Sequence, residues 1–177
     1  MNLLNEVPIL DQVLDDHTVE LGNDFTAYRN HTYRVVNFCL ALSASGDAQL
    51  EKIAVAAAFH DLGIWTERTF DYLLPSIRLA RASLMSWGKH EWTSEISEMI
   101  LEHHKVSPYQ GGRLVEQFRC ADWVDVSRGF LRFGLPRRYV NEVFRAWPDV
   151  GFHKRLLLLG IHRFRTHPWN PLPMIRV

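Results

Sequence analysis

Residues 54–63, AVAAAFHDLG, run an uninterrupted string of small apolar side chains into an ionisable pair, His60 and Asp61. Counting back from His60 at helical spacing reaches Ala57, Ala56 and Ile53, so its imidazole falls on the face that a helix would bury. Asp61, four residues after Ala57, stands at the edge of the same face. A carboxylate buried without a partner costs several kcal/mol, roughly, or neutralises by shifting its pKa. A divalent cation is one partner; a hydrogen-bonded histidine beside an aspartate that ends a helix is the other reading. More distant residues bear on the choice. His31 shares a stripe with Tyr28, Val35, Phe38 and Leu42, with Arg34 on its flank. Ile96, Ile100, His103 and His104 line a second helical face. Val115, Phe118, Asp122 and Val126 line a third, where a solvated carboxylate is not expected. His31, His60 with Asp61, Asp122, and His103 or His104 therefore bring metal-competent groups to inward faces of four helices. Imidazole and carboxylate donors suit manganese, iron, nickel, magnesium or zinc and disfavour a copper–thiolate site.

The elements that must position these residues are all helices, with no convincing alternating strand. Pro8 opens a helix to about Leu21, and Gly22 ends it. Asp24 is placed to cap a long helix to about Ala44. SASGD makes a turn whose Asp47 caps the helix that carries His60 and Asp61 and stops at Gly63. Pro75 opens the next helix, and a further one from Thr93 or Ser94 delivers the paired histidines. KVSPYQGG is the clearest loop, and a helix from about Arg113 presents Asp122, with Asp125 one turn on. Beyond Gly134 and Pro136 follow a helix to about Trp147, another through LLLLGIHRFR, and an extended tail that packs Trp169 and Met174 if ordered. The expectation is an all-α, single compact bundle of about seven helices, with a motif-bearing core at about 24–130 and C-terminal helices and tail at 136–177.

A chain of 177 residues suffices for one sizeable core. With 47% hydrophobic and 23% charged residues it has globular rather than disordered composition. Cys39 and Cys120 sit in apolar-periodic stretches, which fits buried thiols in a reduced compartment better than a disulfide. The opening MNLLNEVPIL resembles no signal peptide, and no apolar run approaches the roughly 18 residues a membrane span needs. A soluble, cytoplasmic protein with no membrane partner is expected. The formal charge of zero conceals a division at Arg128: from there on stand ten Lys or Arg against Glu142 and Asp149, so the preceding part carries the compensating acidic excess. Basic C-terminal helices packed on an acidic body explain this, as does a positive rim that attracts phosphate-bearing small molecules. Nucleic acid is disfavoured, because the basic residues are not interleaved with aromatics. Trp87, Trp92 and Phe130, if exposed, would offer an apolar contact for a homo-oligomer.

Taken together, His31 in YRNHTYRV, His60 and Asp61 in FHDLG, and Asp122 in CADWVD resemble the ordered motif of the HD superfamily of metal-dependent phosphohydrolases, over roughly Tyr28 to Ser127. The resemblance implies an HD-type helical bundle, a divalent ion held by His31, His60, Asp61 and Asp122, and hydrolysis of a phosphoester by a water that the ion activates. Asp61 would be both ligand and the carboxylate that orients the water. Arg34 and Lys105, with His104 nearby, would offset charge on a bound phosphate, and Glu67 is a candidate for proton transfer. ILEHH is similar to the helix that carries further histidines in many members, so His103 and His104 would line the pocket or hold a second metal. Two-metal members usually carry another His where this chain has Ser76, and His90 reads as a surface residue, which favours one ion. The expected substrate is a small phosphomonoester or phosphodiester, with a nucleotide foremost. The alternatives are an HD-type di-iron oxygenase and a non-catalytic metal-stabilised nucleotide-binding module.

Overall fold

A computed structural model of the chain describes residues 3–43 and 47–175, without the side chains of 47 and 48. The expected Asp47 cap lies outside the described residues. Among them there are ten α-helical segments and no strand: α1 (Pro8–Asp16), α2 (Thr18–Leu21), α3 (Phe25–Leu42), α4 (Asp47–Phe59), α5 (Gly63–Thr66), α6 (Leu73–Ser86), α7 (Thr93–Glu102), α8 (Arg113–Val126), α9 (Arg137–Ala146) and α10 (Phe152–Thr166). Two of these, α2 and α5, are single turns of four residues, so eight longer helices stand where about seven were expected. The bundle is all-α. No described helix is long and apolar enough to cross a membrane.

The α3 helix forms the axis of the bundle, with α4, α8, α9 and α10 packed against it. Tyr28, Tyr33, Val35, Val36 and Phe38 on it are fully buried. From Ile53 to Phe59, α4 is apolar on every side and buried throughout, as befits a helix enclosed by others. Alanines at 54 and 56–58 let the surrounding helices approach closely. One buried apolar cluster extends from Val7 to Met174.

Several local expectations change. The first helix breaks at His17, giving α1 and α2. Asp24 makes no capping hydrogen bond; its Oδ2 instead accepts from Trp65 Nε1 and Arg155 Nε, both at 2.9 Å, because these donors reach it from α5 and α10. Gly63 does not stop α4 but opens α5. A Cβ there would meet the Tyr72 carbonyl oxygen at 2.6 Å and Ser76 Oγ at 2.9 Å, and the Gly63 N–H donates to Ser76 Oγ at 3.0 Å. The glycine thus admits the next helix against the His60–Asp61 turn. In the tail Met174 is buried, whereas Trp169 projects into solvent. Phe130 is exposed, while Trp87 and Trp92 pack partly against the core. Arg155 pairs with Asp24 across the charge division, whereas Arg128 and Arg138 pair within the basic part.

Gly63→Ala is expected to lower unfolding free energy in urea by about 1–3 kcal/mol, the usual cost of overpacking against neighbours that cannot yield. Gly160→Ala, where the added methyl has only Phe70 Cε1 at 3.9 Å, should instead stabilise α10 by about 0.5–1 kcal/mol.

Candidate metal centre

Four elements meet at the centre of the bundle. The middle of α3 supplies His31, the turn between α4 and α5 supplies His60 and Asp61, the turn after α7 supplies His103 and His104, and α8 supplies Asp122 and Asp125. His60 still donates its backbone N–H to Ala56 O at 2.9 Å, so the apolar period of α4 carries one residue past its last helical position and aims the imidazole inward. Asp122 and Asp125 are three apart on α8 and therefore share a face.

His31 Nε2 and His60 Nε2 face each other at 2.9 Å. Asp61 Oδ2 lies 3.6 Å from the first and 3.5 Å from the second, and Asp122 Oδ1 lies 3.8 Å and 3.7 Å from them. The remote nitrogens are committed: His31 Nδ1 to Asp125 Oδ2 at 2.6 Å, and His60 Nδ1 to the Ala57 carbonyl at 2.8 Å. Each outer nitrogen carries a proton toward its oxygen acceptor, so the inner nitrogen is the one available to a cation. Donor atoms placed ~2.1 Å from a tetrahedral ion stand about 3.4 Å apart, and the five distances here bracket that value. His31, His60 and Asp122 lie close enough together to share one divalent cation, and so do His60, Asp61 and His103.

On the other side of the carboxylates, His103 Nε2 lies 3.5 Å from Asp61 Oδ1 and His104 Nδ1 lies 3.7 Å from Asp122 Oδ2. His103 Nδ1 donates to the Ile100 carbonyl at 2.7 Å, and His104 Nε2 pairs with the Tyr72 hydroxyl at 2.6 Å. His103 is fully buried, whereas the His104 side chain keeps 14% of its surface exposed and marks the more open side. Asp61 Oδ1, His103 Nε2, Asp122 Oδ1 and Asp122 Oδ2 are buried without a hydrogen-bond partner. Orphaned buried carboxylate oxygens are rare and costly, and divalent metal among these donors would give them a partner.

Electrostatics follow from this crowding. Burial works to raise the Asp61 pKa, but the imidazoles of His60, His103 and His31 hold it well below the usual carboxylate range. Asp122 is lowered against the same burial by its histidine neighbours. Burial works to lower His60, yet the Asp61 and Asp122 charges push it up to about 9. His31 moves down, chiefly by burial. Burial, reinforced by His103, takes His104 down to about 3. Burial and the Asp61 charge raise Tyr28 and Tyr72, which therefore remain phenols.

Two residues given roles by the sequence stand differently. Arg34 does not meet a phosphate: it is fully buried, its Nε and Nη2 hold Asp125, and its Nη1 donates to the Trp147 carbonyl at 3.0 Å. Asp125, deep in the core, needs that cation, which with His31 keeps its carboxyl low against the burial that would raise it. Glu67 does not reach the centre; it ends α5 at the surface, 3.8 Å from Arg78, because a helix of one turn points it outward. Lys105 is partly buried and next in the chain to His104. Ser76 is a hydrogen-bond acceptor for Gly63, and His90 is exposed. The sequence reading assigned no task to Asp125, Tyr72 or Phe152. Phe152 opens α10 and stacks on the His31 ring at 4.0 Å between centroids. The spacing of Asp125 from Asp122 was the one available signal for it; nothing local marks Phe152.

The family model described as HD domain matches residues 28–127. No curated protein and no solved structure matches the chain.

Arg34→Met is expected to cost about 3–5 kcal/mol in urea unfolding, since Asp125 is left charged and buried without its partner. Adding Asp125→Leu to that variant should recover part of the loss, which identifies the unpaired carboxylate as the cause.

Proposed function

The chain belongs to the HD-domain family, whose members are mostly metal-dependent phosphohydrolases, and from that premise we propose that it hydrolyses a phosphomonoester or phosphodiester of a small molecule, with a nucleotide foremost. The observation that carries the reading is the convergence of partnerless buried oxygens of Asp61 and Asp122 with inward-facing imidazole nitrogens. His31, His60, Asp61 and Asp122 would hold one ion. Bound there, a divalent ion supplies a Lewis acid for a phosphoryl oxygen and makes water a better nucleophile near neutral pH.

The chain's own residues do the rest. Asp125 and the Ala57 carbonyl fix the outer N–H groups of His31 and His60, so both rings keep their orientation and their inward lone pairs. Asp61 has one oxygen toward His31 and His60 and the other toward His103, which suits it to accept a hydrogen bond from the attacking water. The neutral His104 sits on the open side, and Lys105 follows it in the chain, so both are candidates for the donors that a phosphate's negative oxygens need. Tyr72 holds the outer edge of His104. Residues 24–130 would carry the chemistry, and the part from 136 onward would cover it through Phe152.

A second reading has support from one feature: Asp61 and Asp122 each direct their other oxygen to His103 and His104, so the donors for a second ion are present. A two-iron oxygenase would use both sets. Metal analysis separates the readings, because two irons per chain with a mixed-valence signal favours the oxygenase and exchangeable divalent metal favours the hydrolase.

The test is a panel of phosphomonoesters and cyclic and linear phosphodiesters, run with several divalent metals. Phosphate or alcohol release should appear in the wild type, vanish on chelation, and fall below detection in Asp61→Ala. Retained turnover in that variant, or none with any metal in the wild type, would reject the assignment. Asp125→Asn should weaken metal affinity by about 10–100-fold, read by competition with a chelating dye.

A further inference from the structure

A cavity of about 480 Å³ opens between the residues after α5 and the outer half of α10, and neither His31, His60, Asp61 nor Asp122 lines it. Its volume falls in the range of small-ligand sites. Three guanidinium groups line it, Arg68, Arg155 and Arg163, against a single carboxylate, Glu20. Arg155 is partly engaged by Asp24, but its side chain remains 45% exposed. Arg163 gives its Nε to the Asn170 carbonyl at 3.3 Å, which leaves its terminal nitrogens to other acceptors. Arg68 forms no ion pair among the described residues, and its backbone holds φ at 50°, a left-handed conformation that non-glycine residues adopt at a cost.

The remaining wall is apolar and aromatic. Trp65 and Phe70 line the cavity with Leu159. Trp65 is itself held rigidly, by its N–H to Asp24 at 2.9 Å and by packing on Tyr28 at 4.7 Å between ring centroids. A fixed indole beside several guanidiniums is complementary to a flat ring joined to phosphate: the ring packs on the aromatic wall, and the phosphate oxygens take forked hydrogen bonds from arginine. The excess of cations over acids also concentrates such anions at the opening.

We propose that this cavity is a binding site, distinct from the metal centre, for a nucleotide-like ligand carrying a planar ring and at least one phosphate. The site stands two ring-to-ring steps from the metal centre, 4.7 Å from Trp65 to Tyr28 and 6.4 Å from Tyr28 to His60. It is built from α10, whose first residue stacks on His31. It requires no metal, so it stands or falls apart from the hydrolase reading.

Titration of the full chain with ADP in excess chelator, followed by calorimetry, tests it. Saturable binding is expected, with affinity falling at least tenfold in Arg68→Gln/Arg163→Gln. Adenosine alone and pyrophosphate alone should each bind more weakly than ADP. Arg68→Glu, a single change at an exposed side chain, should also weaken ADP if the double variant proves unstable by circular dichroism. No saturable ADP binding without metal, or equal affinity in wild type and Arg68→Glu, overturns the proposal.

Discussion

Two aspartates buried among four imidazoles set the terms for the rest of this molecule. Such a cluster is tolerable only if every donor and acceptor at its periphery is committed and the charges at its middle are shared. The periphery meets that demand: Asp125 takes the proton of His31, and backbone carbonyls at 57 and 100 take those of His60 and His103. Each of these partners faces away from the middle. Three imidazoles are therefore held with one ring nitrogen committed outward and the other directed inward, the orientation in which histidine ligates a cation. Within the cluster, the unsatisfied atoms lie at Asp61, His103 and Asp122.

That demand propagates outward through the helices. Asp125 can serve His31 only because Arg34, from the next turn of α3, neutralises it in the core. Arg34 in turn must discharge its remaining N–H groups, and it does so on the carbonyls of Trp147 and Pro148, between α9 and α10. One chain of contacts thus links the centre of α3 to α8 and to the C-terminal part. Removing either Arg34 or Asp125 exposes an unpaired buried charge, which costs far more than the net value of the pair. The C-terminal part is consequently tied to the centre by polar bonds, in addition to Phe152 stacked on His31.

What could be read from the sequence, and what could not, divides along the same line. His31, His60 and Asp122 announce themselves because each interrupts an apolar helical period, and burial at such a position follows from local geometry alone. All three are buried and within reach of one another. The all-α architecture was readable for the same reason. Arg34 was misjudged as a phosphate ligand because its partner stands 91 positions away on α8, and periodicity is silent about which cation will meet which carboxylate. Asp24 was misjudged as a cap because tertiary donors from Trp65 and Arg155 outcompete the local N–H groups. Glu67 looked catalytic by nearness in sequence to the His–Asp pair, yet one helical turn suffices to point it to solvent. The residues that steady the site, Tyr72 and Phe152, carry no local signature because they reach it from other elements.

The segregation of charge along the chain gains a physical sense from α10. Its inner end is buried against α3, while Leu157, Leu158, Ile161 and Phe164 lie exposed farther along it. A helix added solely to cover a core would turn such residues inward and its arginines outward. Here Arg155 and Arg163 instead flank the space between α10 and the segment after α5, beside Trp65 and Phe70. Direct pairing explains only part of this basic excess, since Asp24 engages Arg155 while Arg128 and Arg138 find acids within the basic part itself. Cations left partly unneutralised next to aromatic surface raise the local potential in the manner of an anion site. The helix that closes over His31 at one end therefore presents anion-binding groups at the other, and both features follow from how α10 is anchored at Phe152.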